Sequence, residues 1–171
     1  MQNSKTPRES ETIMTEIVLP NDTNALHNLM GGNLMKWMDV ATAVTARRHA
    51  NCVCVTVSVD NVSFDSPVKI GEVVTLRAKV TRAFNTSVEV YVEVFAEGID
   101  ASRRRKCNVA YFTFVGIDEW GNKLSMPAVR PETDLERKEY EDALARREFR
   151  LVVCGKMKVQ ESEAVKKLFS S

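Results

Sequence analysis

The stretch Asn33-Leu34-Met35-Lys36-Trp37-Met38-Asp39-Val40-Ala41-Thr42-Ala43-Val44-Thr45-Ala46-Arg47-Arg48 runs on, past Ala50, into Cys52-Val53-Cys54-Val55-Thr56-Val57-Ser58-Val59. Two periodicities meet there. In the first half apolar side chains surround a helix almost completely, which predicts a buried helix, and the length excludes a typical strand. In the second half valines alternate with small or polar residues, the signature of a strand with two distinct faces. One carboxylate, Asp39, sits in the middle of the helix.

Working outward, Thr12 to Leu19 is rich in Ile, Val and Thr and stops at Pro20, which predicts a strand. Asn21 to Asn28 is full of turn formers and leads to Gly31-Gly32. Downstream, Asp65-Ser66-Pro67 and Ile70-Gly71 break the chain. Val73 to Arg82 then alternates, with Val74, Leu76, Ala78 and Val80 on one face. After the turn at Phe84-Asn85, Val88, Val90, Val92 and Val94 alternate with Glu89, Tyr91, Glu93 and Phe95. Glu97 to Lys106 reads as a polar hairpin loop and Cys107 to Ile117 as a last, aromatic-rich strand.

The order is strand, long helix, then four strands joined by short turns, which predicts antiparallel neighbours. One antiparallel sheet wrapped around one helix is an α+β layer architecture. A few strands cannot both cover such a helix and hide the sheet edges, so a dimer that covers an edge strand is expected. Pro127 and Pro131 mark a linker, and Thr133 with Glu136 has capping-box spacing before a charged helix to Arg150. The expected organisation is a flexible tail over 1–10, one domain over 11–126, and a linker with a C-terminal helical extension over 127–171.

Composition narrows the function classes. With 171 residues and 44% hydrophobic content, one domain is the natural reading. Basic and acidic residues number 24 and 23, so nothing calls for a nucleic-acid partner. No apolar run reaches the roughly 20 residues of a membrane helix, and no apolar stretch in the first ten residues suggests a secretory signal. The four cysteines include no CxxC pair, so they read as free thiols of a cytoplasmic protein, and no metal site is expected.

The residues that suggest chemistry are Asn24, Gly31, Gly32 and Asp39. A carboxylate on a buried helix must be hydrated, paired or used. Lys36, three residues earlier, offers a pairing partner; the alternative is a general base or nucleophile facing a cleft. Gly32 opens the helix, where unpaired backbone N–H groups can stabilise an oxyanion. Asn24 supplies a neutral amide, although Asn beside glycines is also a common turn residue.

These same residues carry a resemblance. Pro20-Asn21-Asp22-Thr23-Asn24, Met30-Gly31-Gly32 and Leu34-Met35-Lys36-Trp37-Met38-Asp39 resemble the hot-dog acyl-CoA thioesterases, more narrowly their acyl-CoA hydrolase branch. Val55 to Asp60 leading to Phe64, Val80 to Val90, and Val109 to Val115 continue the likeness. The resemblance implies a helix held in a curved sheet and hydrolysis of an acyl-CoA thioester to a free acid and CoA. It also implies a homodimer, with three dimers forming a hexamer. CoA enters as part of substrate and product, and no cofactor is implied. Asp39 matches the family's catalytic carboxylate and Asn24 its catalytic amide, the two meeting across subunits. Gly32 matches the helix-start N–H that polarises the thioester carbonyl.

For CoA itself the resemblance implies contacts at Val57, Ser58 and Val59, at Thr86, Ser87 and Val88, and at Arg147, with Arg146 adjacent. Arg103, Arg104 and Arg105 form the densest basic run, read chiefly as solvated charge with nucleotide phosphate as the alternative. Leu26 and His27 stand where the family often has a smaller turn, and His27 is expected to cap that loop. Two further readings stay open: a non-catalytic acyl-CoA binding or regulatory module, and a hot-dog dehydratase, which usually relies on a well-placed histidine.

Overall fold

Asn51 ends the long helix in the left-handed conformation (φ +56°), and the chain turns there directly into the alternating strand. The computed structural model describes residues 4–60, 62, 66–100 and 104–169. In chain order these form a helical turn α1 (Pro7–Ser10), strand β1 (Thr12–Ile17), the long helix α2 (Gly31–Ala50), and strands β2 (Val53–Asp60), β3 (Val73–Ala83), β4 (Ser87–Glu97) and β5 (Arg105–Ile117). Helices α3 (Asp134–Val153) and α4 (Glu163–Phe169) follow. The chain forms two compact units, Met1–Arg130 and Pro131–Ser171.

In the first unit the strands make one antiparallel sheet in the order β1-β3-β4-β5-β2, packed against α2. This is the predicted α+β hot-dog arrangement. The short-link rule fails at one place: β2 pairs with β5, not with β3. Gly71 (φ +82°) closes the β2–β3 connection with a turn that non-glycine residues resist, and the connection leads from the β2 edge past β5 and β4 to β3.

The core lies between α2 and the central strands. Leu34, Met38, Ala41, Thr45 and His49 form the buried stripe of α2 at helical spacing. Val74, Leu76, Ala78 and Val80 of β3, and Val88, Val90, Val92 and Val94 of β4, are buried. Phe112 and Phe114 of β5 stack at a centroid separation of 6.4 Å and are fully enclosed. The all-round burial expected for α2 is not met within one chain: Val40 and Val44 remain exposed, because the sheet covers only one side of the helix.

The segment expected to be a loose tail is packed where it is described. Thr6, Pro7 and Ser10 are buried, Glu9 Oε2 accepts from the Thr6 N–H at 2.6 Å, and Lys5 donates to the Arg48 carbonyl and to Asn51 Oδ1. The far boundary also shifts: residues 127–130 belong to the first unit. His49 Nε2 bonds the Pro127 carbonyl at 2.8 Å, and Lys5 pairs with Val129.

The second unit opens with the predicted capping box. Thr133 Oγ1 accepts from the Glu136 N–H at 3.2 Å, and Glu136 Oε2 accepts from the Thr133 N–H at 3.1 Å. Glu148 accepts from the Ser162 hydroxyl and the Ala164 N–H, fixing the start of α4 to α3 and holding that carboxyl below its usual range.

Candidate active site

Helix α2 and strand β2 run side by side in opposite directions, and this brings Asp39 to Thr56. Thr56 Oγ1 donates to Asp39 Oδ1 at 2.8 Å. The partner of Asp39 is therefore a hydroxyl on the facing strand and not Lys36. One carboxylate oxygen is oriented and the carboxylate stays partly open to solvent.

Thr56 was not among the residues singled out in the sequence, although a signal for it exists there. From Asp39 to Ala50 a helix rises about 16 Å, and from Asn51 to Thr56 a strand returns about 16 Å. A helix–strand hairpin thus sets these two residues opposite each other.

Asn24 occupies the loop before α2. Its Oδ1 accepts from the Leu26 N–H at 2.9 Å and the Asn28 N–H at 3.2 Å, which is the turn-forming use of an Asn. That fixes the side chain and leaves its Nδ2 as the donor end of the amide. His27 adopts φ +57°, donates its N–H to the Asn24 carbonyl, and accepts from the Ile70 N–H. It closes the loop, as expected.

Asn24, Asn28, Leu29, Gly31, Leu34 and Val68 line a cavity of about 310 Å³. At its edge α2 begins. The Asn33 and Leu34 N–H groups bond the Met30 carbonyl, and the N–H groups of Gly31 and Gly32 precede the helix's own acceptors. A side chain on Gly32 would meet open space, so a ligand can approach that backbone closely.

One chain does not bring Asn24 and Asp39 together. Gly31 borders the Asn24 cavity, and Asp39 lies eight residues further along the helix, about 12 Å up its axis. The chain thus presents two separate groupings: an amide with helix-start N–H groups, and a carboxylate with its threonine.

The residues expected at CoA fall on adjoining parts of the sheet. Val88 pairs with Phe114, and Phe114 pairs with Thr56; Ser87 and Val55 both pair with Val115. Val57–Val59 thus follow Thr56 directly along β2, and Thr86–Val88 lie on the far side of β5 from it. Val57 and Val59 are exposed, with a bulge between Thr56 and Ser58, and Ser58 donates to Asp60 at 2.8 Å. Ser87 and Val88 are buried, so Thr86 is the more accessible of its group.

Arg147 lies on α3 in the second unit. Burial and the neighbouring Arg150 charge push its guanidinium below the usual arginine value. Arg146 is engaged within α3, bonding the Glu139 carbonyl at 3.0 Å and its carboxylate at 3.3 Å.

Of the basic run, Arg104 and Arg105 are described, and both have partners. Arg105 forks onto both oxygens of Glu72 at 2.7 and 2.8 Å and onto the Pro67 carbonyl, holding the Glu72 carboxyl below its usual range. Arg104 lies 4.5 Å from the centre of the Phe95 ring. Arg103, like Phe64 in the resemblance, is outside the described residues. His49 is fully buried, and burial pushes its pKa down.

A thioesterase superfamily model matches residues 26–102. Mouse acyl-coenzyme A thioesterase 11 is 39% identical over 149 residues, covering 87% of this chain. The chain spans 25% of that mouse protein's length. A solved apo-hexameric acyl-CoA thioesterase is 38% identical with a TM-score of 0.83, covering 86% of this chain and 95% of that one. The Staphylococcus aureus acyl-CoA hydrolase, solved with butyryl coenzyme A, coenzyme A and coenzyme A disulfide, is 32% identical with a TM-score of 0.83, covering 98% and 99%. Alanine variants of that enzyme at an asparagine, an aspartate and a threonine have also been solved. Those three positions are separated by 15 and then 17 residues, the spacing of Asn24, Asp39 and Thr56 here.

Proposed function

The chain belongs to the thioesterase superfamily, in its acyl-CoA hydrolase branch, and from that premise we propose that it hydrolyses acyl-CoA to a free carboxylic acid and CoA. The observation that carries this reading is the Asp39–Thr56 hydrogen bond, at the same spacing from Asn24 as the three residues replaced in the S. aureus enzyme.

In this reading Asn24 Nδ2 and the Gly32 N–H of one copy bind the thioester carbonyl oxygen. Asp39 of a second copy, oriented by Thr56, takes a proton from the attacking water. The tetrahedral intermediate expels the CoA sulfur, which receives the proton. Donors already fixed by the loop and the helix start stabilise the oxyanion without reorganising. Side chains and backbone supply each step, so the reading invokes no cofactor. Val57–Val59 and Thr86–Val88 border the CoA channel, and Arg147 is the second unit's candidate for a CoA phosphate.

The assembly that completes the site is a homodimer, grouped as three dimers in a hexamer. The exposed valines of β2 and the hexameric relative support it. A cytoplasmic role in fatty acid metabolism is part of the same proposal. No helix among the described residues is long and apolar enough to cross a membrane.

The test is CoA-thiol release from acyl-CoA by the purified chain and by Asp39→Asn. The substitution is nearly isosteric, so the melting temperature should hold while turnover falls by about 10²–10⁴-fold, the usual worth of a general base. Turnover in a folded Asp39→Asn variant equal to that of the original chain contradicts the assignment. Binding of acyl-CoA with no release by the original chain would favour the non-catalytic module.

A further inference from the structure

The segment from Pro67 to Glu72 belongs to no helix or strand, yet Pro67 and Val68 form one wall of the Asn24 cavity. A single side chain from elsewhere grips it at both ends. Arg105, at the start of β5, donates from Nη1 to Glu72 Oε1 at 2.7 Å. Its Nη2 donates to Glu72 Oε2 and to the Pro67 carbonyl, both at 2.8 Å. β4 lies between β5 and β3, so this grip crosses two strand spacings, about 10 Å. Glu72 is itself set by the turn at Gly71. Its Oε2 accepts from the Lys69 N–H at 2.7 Å, and its own N–H donates to the Lys69 carbonyl at 3.1 Å.

The gripped segment is bonded in turn to the loop that carries Asn24. The Leu29 N–H donates to the Val68 carbonyl at 2.7 Å, the Ile70 N–H donates to the His27 carbonyl at 3.0 Å, and Lys69 bridges Asn28. Asn28 closes the circuit. Its N–H is one of the two on Asn24 Oδ1, and its carbonyl accepts from the Asn24 N–H at 2.8 Å. From Arg105 to Asn24 the path is hydrogen bonds and backbone throughout. A planar guanidinium fork can meet two carboxylate oxygens and a carbonyl together, which a lysine ammonium does not.

We propose that Arg105 is a positioning residue for hydrolysis, acting through Glu72 and Pro67 to fix the Asn24 amide and the wall of its cavity. The inference rests on the hydrolase reading. An oxyanion donor stabilises the transition state only while it is held in place beforehand, and a displacement of about 1 Å by a distant change can cost about a hundredfold. Arg105 touches no reacting atom in this account; its guanidinium is spent on the site's own wall.

The test is Arg105→Gln in the full chain, assayed by CoA-thiol release from acetyl-, butyryl- and palmitoyl-CoA and by amide hydrogen exchange. With the substrate turned over fastest, kcat should fall by about tenfold or more while KM stays within about twofold. Arg105→Lys keeps the charge without the fork and should recover part of that loss. Lys106→Gln breaks the Lys106–Glu93 ion pair of the same strand and should leave kcat unchanged. Exchange at the Asn28, Leu29 and Ile70 amides should speed up by about tenfold in Arg105→Gln and stay the same in Lys106→Gln. Glu72→Gln releases the grip from the other side and takes the place of Arg105→Gln where circular dichroism shows that variant unfolded. Unchanged exchange at those three amides overturns the proposal whether or not the chain hydrolyses any substrate. So does an unchanged kcat in a folded Arg105→Gln variant of an active chain. No release from any of the three substrates by the original chain counts against the hydrolase reading, and exchange alone then decides whether Arg105 fixes the Asn24 loop.

Discussion

Strands β4 and β2 share one pattern, a valine at every second position, and end in opposite surroundings. Val88, Val90, Val92 and Val94 are completely buried; Val53 and Val57 are 60% and 56% exposed. β4 is bonded on both sides, by β3 and β5, and lies under α2, whereas β2 is bonded only to β5. Alternation assigns a strand two faces but does not say what covers them. Covering depends on the position in the sheet, and the apolar face left open at the β2 edge is where the proposed second copy would pack.

The comparison is broken most easily at the centre. Phe114→Ala, under α2 and beside the Thr56 register position, should cost about 3–5 kcal/mol in urea unfolding. Val90→Ala should cost about 2 kcal/mol, from two lost methyl groups and the remaining cavity. A loss below 0.5 kcal/mol at Val90 would mean that β4 is no better covered than β2.

A smaller effect is expected where charge ties the sheet together. Glu72→Gln removes the carboxylate that Arg105 grips, and with the half-exposed guanidinium screened by solvent the loss should be about 1 kcal/mol at pH 7. The folded-state pKa of Glu72 is lowered, so its stabilisation is fully present above the ordinary carboxyl value of 4.5 and is lost as pH falls through the lowered value. The difference between the two proteins should shrink in that window. A difference that grows on acidification contradicts the pairing.

The smallest effect on folding is expected at the edge. Val53→Asp should change the unfolding free energy of dilute protein by less than about 0.5 kcal/mol, yet abolish assembly measured by light scattering. Intact assembly in that variant would remove β2 from the interface.

Much of this was legible in the residues themselves. The change of period at residue 51 located α2 and β2, and the turn residues separated the remaining strands. Asn24, Gly32 and Asp39 stood out because an amide, a helix-opening glycine and a lone carboxylate are chemically unusual together. Thr56 did not, since in an alternating strand it looks like any other polar position until the helix is laid against it. The fate of the basic run was hidden for the same reason: Arg105 meets Glu72 only after β3 and β5 are placed with β4 between them. Pairings that depend on which strand lies beside which cannot be read from alternation alone.

The central claim is that one active site takes Asn24 from one copy and Asp39 from another. The direct test mixes Asn24→Ala with Asp39→Asn after subunit exchange and measures CoA release. Each variant alone should be inactive. A mixed dimer carries both lesions in one site and none in the other, so random pairing should restore up to about a quarter of the original activity. Exchange demonstrated by labelled subunits, with no activity regained, would contradict the shared site.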